Sequence, residues 1–210
     1  MNKKERKLSP AELKRKAGFE SKVQEMEQNG YVKMDLTIGI VKANFLAVIV
    51  MLPIMILFRL IYLARVKGEI SVNFGSPELL LFLGVSLGLI VLHELIHGVT
   101  WAYMAKEGFQ SIEFGIVWKM LTPYCTCSSE LKKKQYILGA MMPTIVVGML
   151  PVVIGIVLNL PFFYLIGQFM ILGGGGDALI ILQLLRHKEN GKECVYLDHP
   201  YELGIVVFER

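Results

Sequence analysis

The chain has 210 residues, of which 54% are hydrophobic and 19% charged, with a net charge of +4. Its apolar residues are collected into runs of about 20, too long for the elements of an ordinary soluble core and long enough to cross a bilayer. The basic residues flank those runs instead of forming one patch, which argues against a nucleic-acid interface, and three cysteines are too few for a disulfide framework.

Met1 to Lys16 is basic and polar with no apolar centre, unlike a cleavable secretory signal. Ser9-Pro10-Ala11-Glu12 reads as a helix start: serine caps, proline takes the first helical position and glutamate closes a capping box. The charged, amphipathic helix that follows runs to about Gln28 and is ended by Gly30. From Tyr31 to Ile40, Val32, Met34, Leu36, Ile38 and Ile40 alternate with polar residues and glycine, the period of a strand.

Four spans are expected, over residues 44–63, 78–105, 136–159 and 161–185. Pro53 kinks the first, and Arg59 snorkels to the near interface. Arg65 to Pro77 forms a short loop. In the polar stretch 106–134, Ser111 to Trp118 and Met120 to Thr126 read as a hairpin, either a strand edge for an extended substrate or a clasp on the membrane surface. Pro143 and Pro151 break the third span, while Gly139, Gly148 and Gly155 permit close helix approach. After residue 185, Glu193 to Leu197 and Leu203 to Phe208 are extended, with Asp198-His199-Pro200 as a turn. The fold class is therefore mainly α: a polytopic membrane bundle with short cytoplasmic strands and an N-terminal amphipathic helix. It divides into a cytoplasmic segment 1–43, a transmembrane core 44–185 and a cytoplasmic tail 186–210. Clustered Lys and Arg before the first span, in 106–134 and in 186–192 place both termini in the cytoplasm, with the chain multi-pass in the cell membrane.

The second span carries His93-Glu94-Leu95-Ile96-His97. Residues four apart share one helix face, so two imidazoles can address one zinc ion while Glu94 reaches a water beside it. Ionisable groups inside a span are costly and mark function. Catalytic zinc needs a third protein ligand. Glu107, Glu113 and Glu130 lie in the polar loop, whereas Asp177 matches the motif in depth. Each lies about 16 residues, or about 24 Å, from the outer end of its span. The alternative is an aspartate paired with a lysine or a backbone donor, but no Lys or Arg lies at that depth. The glycines at 173–176 are expected to press the fourth span against the second and to allow local unwinding. Cys125-x-Cys127 has a short spacing and no second pair, so reduced thiols are expected there. His187 and His199 read as surface or turn residues. Thr144 and Gln168 stand either as interhelical hydrogen bonds or as supports of the metal ligands.

His93-Glu94-x-x-His97 with Asp177 resembles the site-2 protease type of intramembrane zinc metalloprotease. The chain is more closely similar to a family of small membrane proteins described as zincin peptidases. That likeness rests on His93 to Gly98, Phe114-Gly115, Pro123-Tyr124-Cys125, Tyr136 to Pro143, the glycines ending in Asp177, and Asp198-His199-Pro200 with Gly204. It spans roughly Leu80 to Phe208, and departs from the site-2 pattern in that Ala178 follows Asp177 where a glycine is usual. The resemblance implies peptide hydrolysis, with Zn2+ held by His93, His97 and Asp177 and Glu94 as general base. The expected partners are a membrane-protein or peptide substrate and the lipid bilayer. A zinc-binding membrane protein that stabilises a partner without catalysis is the alternative, and a metal transporter a second rival.

Overall fold

A computed structural model describes residues 8–66, 75–117 and 122–210. Helix α1 (Pro10–Gln28) starts on the expected capping box: Ser9 Oγ accepts from the Glu12 N–H (3.3 Å), and the Glu12 carboxylate accepts from the Ser9 N–H (2.7 Å). Asn29 closes it, and Gly30 follows at φ +81°. Strand β1 (Val32–Thr37) leads into α2 (Ile40–Arg65), which continues through Pro53 without a break. Helix α3 (Ser76–Met104) carries the histidine motif. A hairpin follows, β2 (Ile112–Val117) with β3 (Thr122–Cys127), antiparallel with Phe114 opposite Cys125. Most of the expected loop 65–77, and Trp118 and Met120 of the expected hairpin, lie outside the described residues, as does the start of the basic N-terminal stretch.

The third apolar run is helical from Lys133 to Val157 but not uniformly α. Helix α4 (Lys133–Pro143) passes into a π-helical segment, Thr144–Met149, and then into α5 (Leu150–Val157). A proline cannot donate to the preceding turn and its ring crowds that turn's carbonyl. The wider π turn between Pro143 and Pro151 absorbs both defects. The fourth run is two helices, α6 (Pro161–Gly173) and α7 (Gly175–Arg186), bent by 49° at Gly174. Among the described residues three helices are long and apolar enough to cross a membrane, or four if the bent pair is one span. Large apolar side chains on α2 and α3, such as Phe45, Ile56, Leu60, Leu80, Leu87 and Val99, point outward.

The tail residues form β4 (Cys194–Asp198) and β5 (Gly204–Glu209), so Asp198 ends a strand and does not open the turn as expected. The sheet order is β1-β5-β4, all antiparallel, with Leu36 opposite Ile205 and Leu197 opposite Val206. The segments flanking the helical core in sequence are thus one sheet. Its central strand is buried on both faces, which explains the unbroken apolar run Ile205 to Phe208. Ile205 and Val207 pack with Tyr196, Tyr136, Trp101 and Leu184 on the helical side. Val206 and Phe208 pack with Leu197, Met26, Phe19 and Val23, beneath α1. A side chain at Gly204 (φ +133°) would collide with the Leu36 carbonyl, so glycine lets β5 approach β1 closely.

His187 corrects an expectation. Its side chain is only 7% exposed, its Nε2 donates to Glu209 Oε1 (2.7 Å) and its Nδ1 lies 3.0 Å from the Tyr196 hydroxyl, which ties the end of α7 to the sheet. His199 keeps its turn role: Nδ1 accepts from the Glu202 N–H (2.9 Å). Phe208 is fully buried where α1 meets the sheet. Phe208→Ala should weaken this layer by about 3–5 kcal/mol. Limited proteolysis in micelles should then release α1 and β1 well before any cut within residues 76–104.

Candidate metal centre

One helix supplies three of the four candidate groups, His93, Glu94 and His97. His93 and His97 are one turn apart on the buried face of α3, 7% and 3% exposed. Their Nε2 atoms lie 3.2 Å apart. Asp177 enters from the first turn of α7, where the break at Gly174 turns the chain toward α3. Its Oδ2 lies 3.1 Å from His93 Nε2 and its Oδ1 3.3 Å from His97 Nε2. The expected aspartate and the expected histidines therefore converge. Among the described residues this is the one group of three His, Cys, Asp or Glu side chains whose ligand atoms all lie within 4.8 Å of one another.

The glycines achieve this differently from the expected packing against the second span. A Cβ on Gly174 would strike Thr144 Oγ1, and one on Gly175 would press on Ala47 of α2 at 2.7 Å. Gly174 and Gly175 are thus fitted against the third and first apolar helices. Gly173 and Gly176 meet nothing within 4 Å. Thr144 is accordingly a packing partner of the break. Gln168 is an interhelical bond: its Nε2 donates to the Met55 carbonyl (3.1 Å) and the Tyr164 hydroxyl (2.8 Å).

His97 is held from behind. Its Nδ1 donates to the Gly139 carbonyl of α4 (2.9 Å), which leaves the Nε2 lone pair facing Asp177 and His93. A lone pair 3.3 Å from a carboxylate oxygen requires a proton or a cation between them. Trp101, one further turn along α3, stacks on His97 with ring centroids 4.9 Å apart and planes 16° apart, and its Nε1 donates to the Tyr136 carbonyl (3.3 Å). A Cβ on Gly139 would overlap the Trp101 indole, so glycine there serves both the carbonyl and the ring. The Glu94 carboxylate turns toward the backbone N–H of Cys125 in β3. The hairpin lies against α3, where Gly98 leaves room for Phe114 and Ile112 of β2, the partner of β3. Gly139, Trp101 and the Cys125 N–H were not singled out from sequence as supports of the site. The spacing 93, 97, 101 was the one signal for Trp101, as it extends the histidine face by a turn.

A family comparison matches residues 86–192, just over half of the chain, to the family described as "Putative zincin peptidase". The chain belongs to that family. No curated protein and no solved structure matches it. A zincin implies a zinc ion, and the donor set fits one. Two imidazole nitrogens and a carboxylate are borderline-hard ligands suited to zinc, and separations of 3.1–3.3 Å approach the edge of a tetrahedron with bonds of about 2.0 Å, about 3.3 Å. The loop candidates do not share the cluster. Glu113 pairs with Arg15 (3.0 Å), Glu130 with Lys22 (2.7 Å), and Glu107 accepts from the Ser129 hydroxyl. Cys125 and Cys127 are free thiols, raised in pKa by burial, Cys127 to about 11. They are therefore protonated and poor ligands at neutral pH.

Gly139→Ala should lower zinc affinity about 10- to 100-fold, measured by competition with a chromophoric chelator, because the methyl must displace Trp101 or the Gly139 carbonyl. Gly173→Ala, at a position with open space, should leave the affinity unchanged.

Proposed function

We propose that this zincin is an intramembrane zinc metallopeptidase of the site-2 protease type, hydrolysing peptide bonds in membrane-protein or peptide substrates. The observation that carries the reading is the meeting of Asp177 with His93 and His97 beside a carboxylate, Glu94, that the meeting leaves unused. A purely structural metal site has no need of that fourth group.

His93, His97 and Asp177 would hold the zinc, with His97 fixed in its tautomer by the Gly139 carbonyl. Zinc, when bound, supplies Lewis acidity, lowering the pKa of a water toward about 7 and polarising a carbonyl. Glu94 takes the proton of the attacking water and delivers it to the nitrogen of the leaving amine, so that one carboxylate serves as base and then acid. The Cys125 N–H lies beside the Glu94 carboxylate. The apolar helices with outward-facing side chains support a membrane-embedded core over 44–185, and the basic residues of 8–43 and 186–210 support cytoplasmic termini.

Glu94→Gln preserves size and removes the base. Its zinc content should equal that of the wild type, while cleavage of a single-span model substrate in micelles should fall by about 10²- to 10⁴-fold. Wild-type cleavage by this variant would remove Glu94 from the mechanism, and a chain that binds zinc but cleaves nothing in either form would favour the non-catalytic reading.

A further inference from the structure

The outer edge of β3 is met by two carboxylates far apart in the sequence, Glu94 and Asp198. Residues 123, 125 and 127 direct their backbone groups to the same edge, because alternate residues of an antiparallel strand do so. Pro123 has no N–H to offer. The Cys125 N–H faces Glu94, and the Cys127 N–H donates to Asp198 Oδ2 at 2.7 Å. Asp198 is the last residue of β4, in the C-terminal sheet.

The second oxygen of the same carboxylate reaches the other wall of the site. Asp198 Oδ1 accepts from the hydroxyl of Tyr136, a fully buried side chain in the first turn of α4. The backbone carbonyl of Tyr136 accepts from Trp101, which stacks on His97. Three residues further along α4, the Gly139 carbonyl accepts from His97 Nδ1. One carboxylate therefore ties the strand that faces Glu94 to the helix that orients His97.

We propose that Asp198 is a positioning residue for hydrolysis, acting through Cys127 on β3 and through Tyr136 on α4 to hold Glu94 and His97 in register. This rests on the reading of Glu94 as the base. Asp198 touches neither the His93–His97–Asp177 cluster nor Glu94 through any bond of its own. Burial pushes its carboxyl up to about 6, while the Cys127 N–H and the Tyr136 hydroxyl, one on each oxygen, both donate to it and favour the ionised form. Asparagine has one carbonyl oxygen and an NH2 group, and cannot accept from both sides in the same pose. The tail that carries Asp198 is locked independently by β5 and by His187 to Glu209, so the clamp has a rigid anchor.

The test uses the full chain in detergent micelles with zinc bound, comparing wild type, Asp198→Asn, Tyr136→Phe, their double variant and Glu94→Gln. Zinc content, thermal unfolding, amide hydrogen exchange and cleavage of a fluorescein-labelled single-span model substrate are measured on each. Asp198→Asn and Tyr136→Phe should keep zinc content and unfolding temperature. Amide exchange across 122–127 should rise about tenfold, and kcat should fall about 10- to 100-fold at unchanged KM. The double variant should be no slower than the slower single. Unchanged exchange in 122–127 overturns the inference, as does a loosened β3 with full kcat. Loss of kcat only in step with zinc content or unfolding temperature also overturns it, since that is plain destabilisation. If wild type is no faster than Glu94→Gln, the hydrolase reading and the positioning role fail together, a pattern distinct from an active wild type with an indifferent Asp198.

Discussion

Asp177 places a carboxylate between two imidazoles at the heart of an apolar helical assembly, and much of the helical architecture serves that placement. A carboxylate buried among aliphatic side chains is costly unless cations or donors surround it. The two histidines meet that need from one helix face, and zinc would meet it more fully. Bringing the aspartate there requires the fourth apolar run to bend, which it does at Gly174. The bend is possible because the neighbours fill the space side chains would otherwise take: Thr144 lies against Gly174 and Ala47 against Gly175. The irregular backbone of two helical runs, a π segment in one and a 49° bend in the other, is concentrated around this group. Irregular helix is tolerated in such an environment where neighbouring protein covers it.

The layers outside the helices act as a frame. The sheet β1-β5-β4 is covered by α1 on one face and by α3, α4 and α7 residues on the other. The hairpin β2–β3 lies between α3 and α1. Its Ile112 and Phe114 fill the space at Gly98, while Arg15 of α1 bonds Glu113 and the Tyr124 hydroxyl on the opposite face and also the Pro200 carbonyl. A cleft of about 520 Å³ remains between α1, the hairpin and the turn after β4. The frame is built from both ends of the chain, so the strand facing Glu94 is fixed by residues more than 70 positions from the motif.

The glycines divide by what they touch. Gly139 is small because the Trp101 indole of the histidine helix lies against it, and Gly98 because the Phe114 ring packs onto that helix there. Gly155 and Gly167 are small because α5 and α6 approach backbone to backbone there, as the Tyr164 main chain beside Gly155 and the Gly148 carbonyl beside Gly167 record. The first pair shapes the site, and the second closes the helical pair that leads to α7.

Local rules carried much of this from the sequence alone. The capping box at Ser9, the two-residue period of β1, the apolar runs and the i,i+4 spacing of His93 and His97 are short-range features, decided by neighbours within a turn or two. Asp177 was legible because helix length converts residue count into depth, and ionisable residues in such runs are few. What the sequence could not decide was pairing at long range: that β1 joins β5 across the whole helical core, that His187 turns inward to Glu209, that the glycines meet Ala47 and Thr144, and that Asp198 bonds Cys127 and Tyr136. Each of these is fixed by which surfaces are left to bury once the helices have packed. An apolar strand or a lone carboxylate has no local signature that names its partner, so only the tertiary structure could supply it.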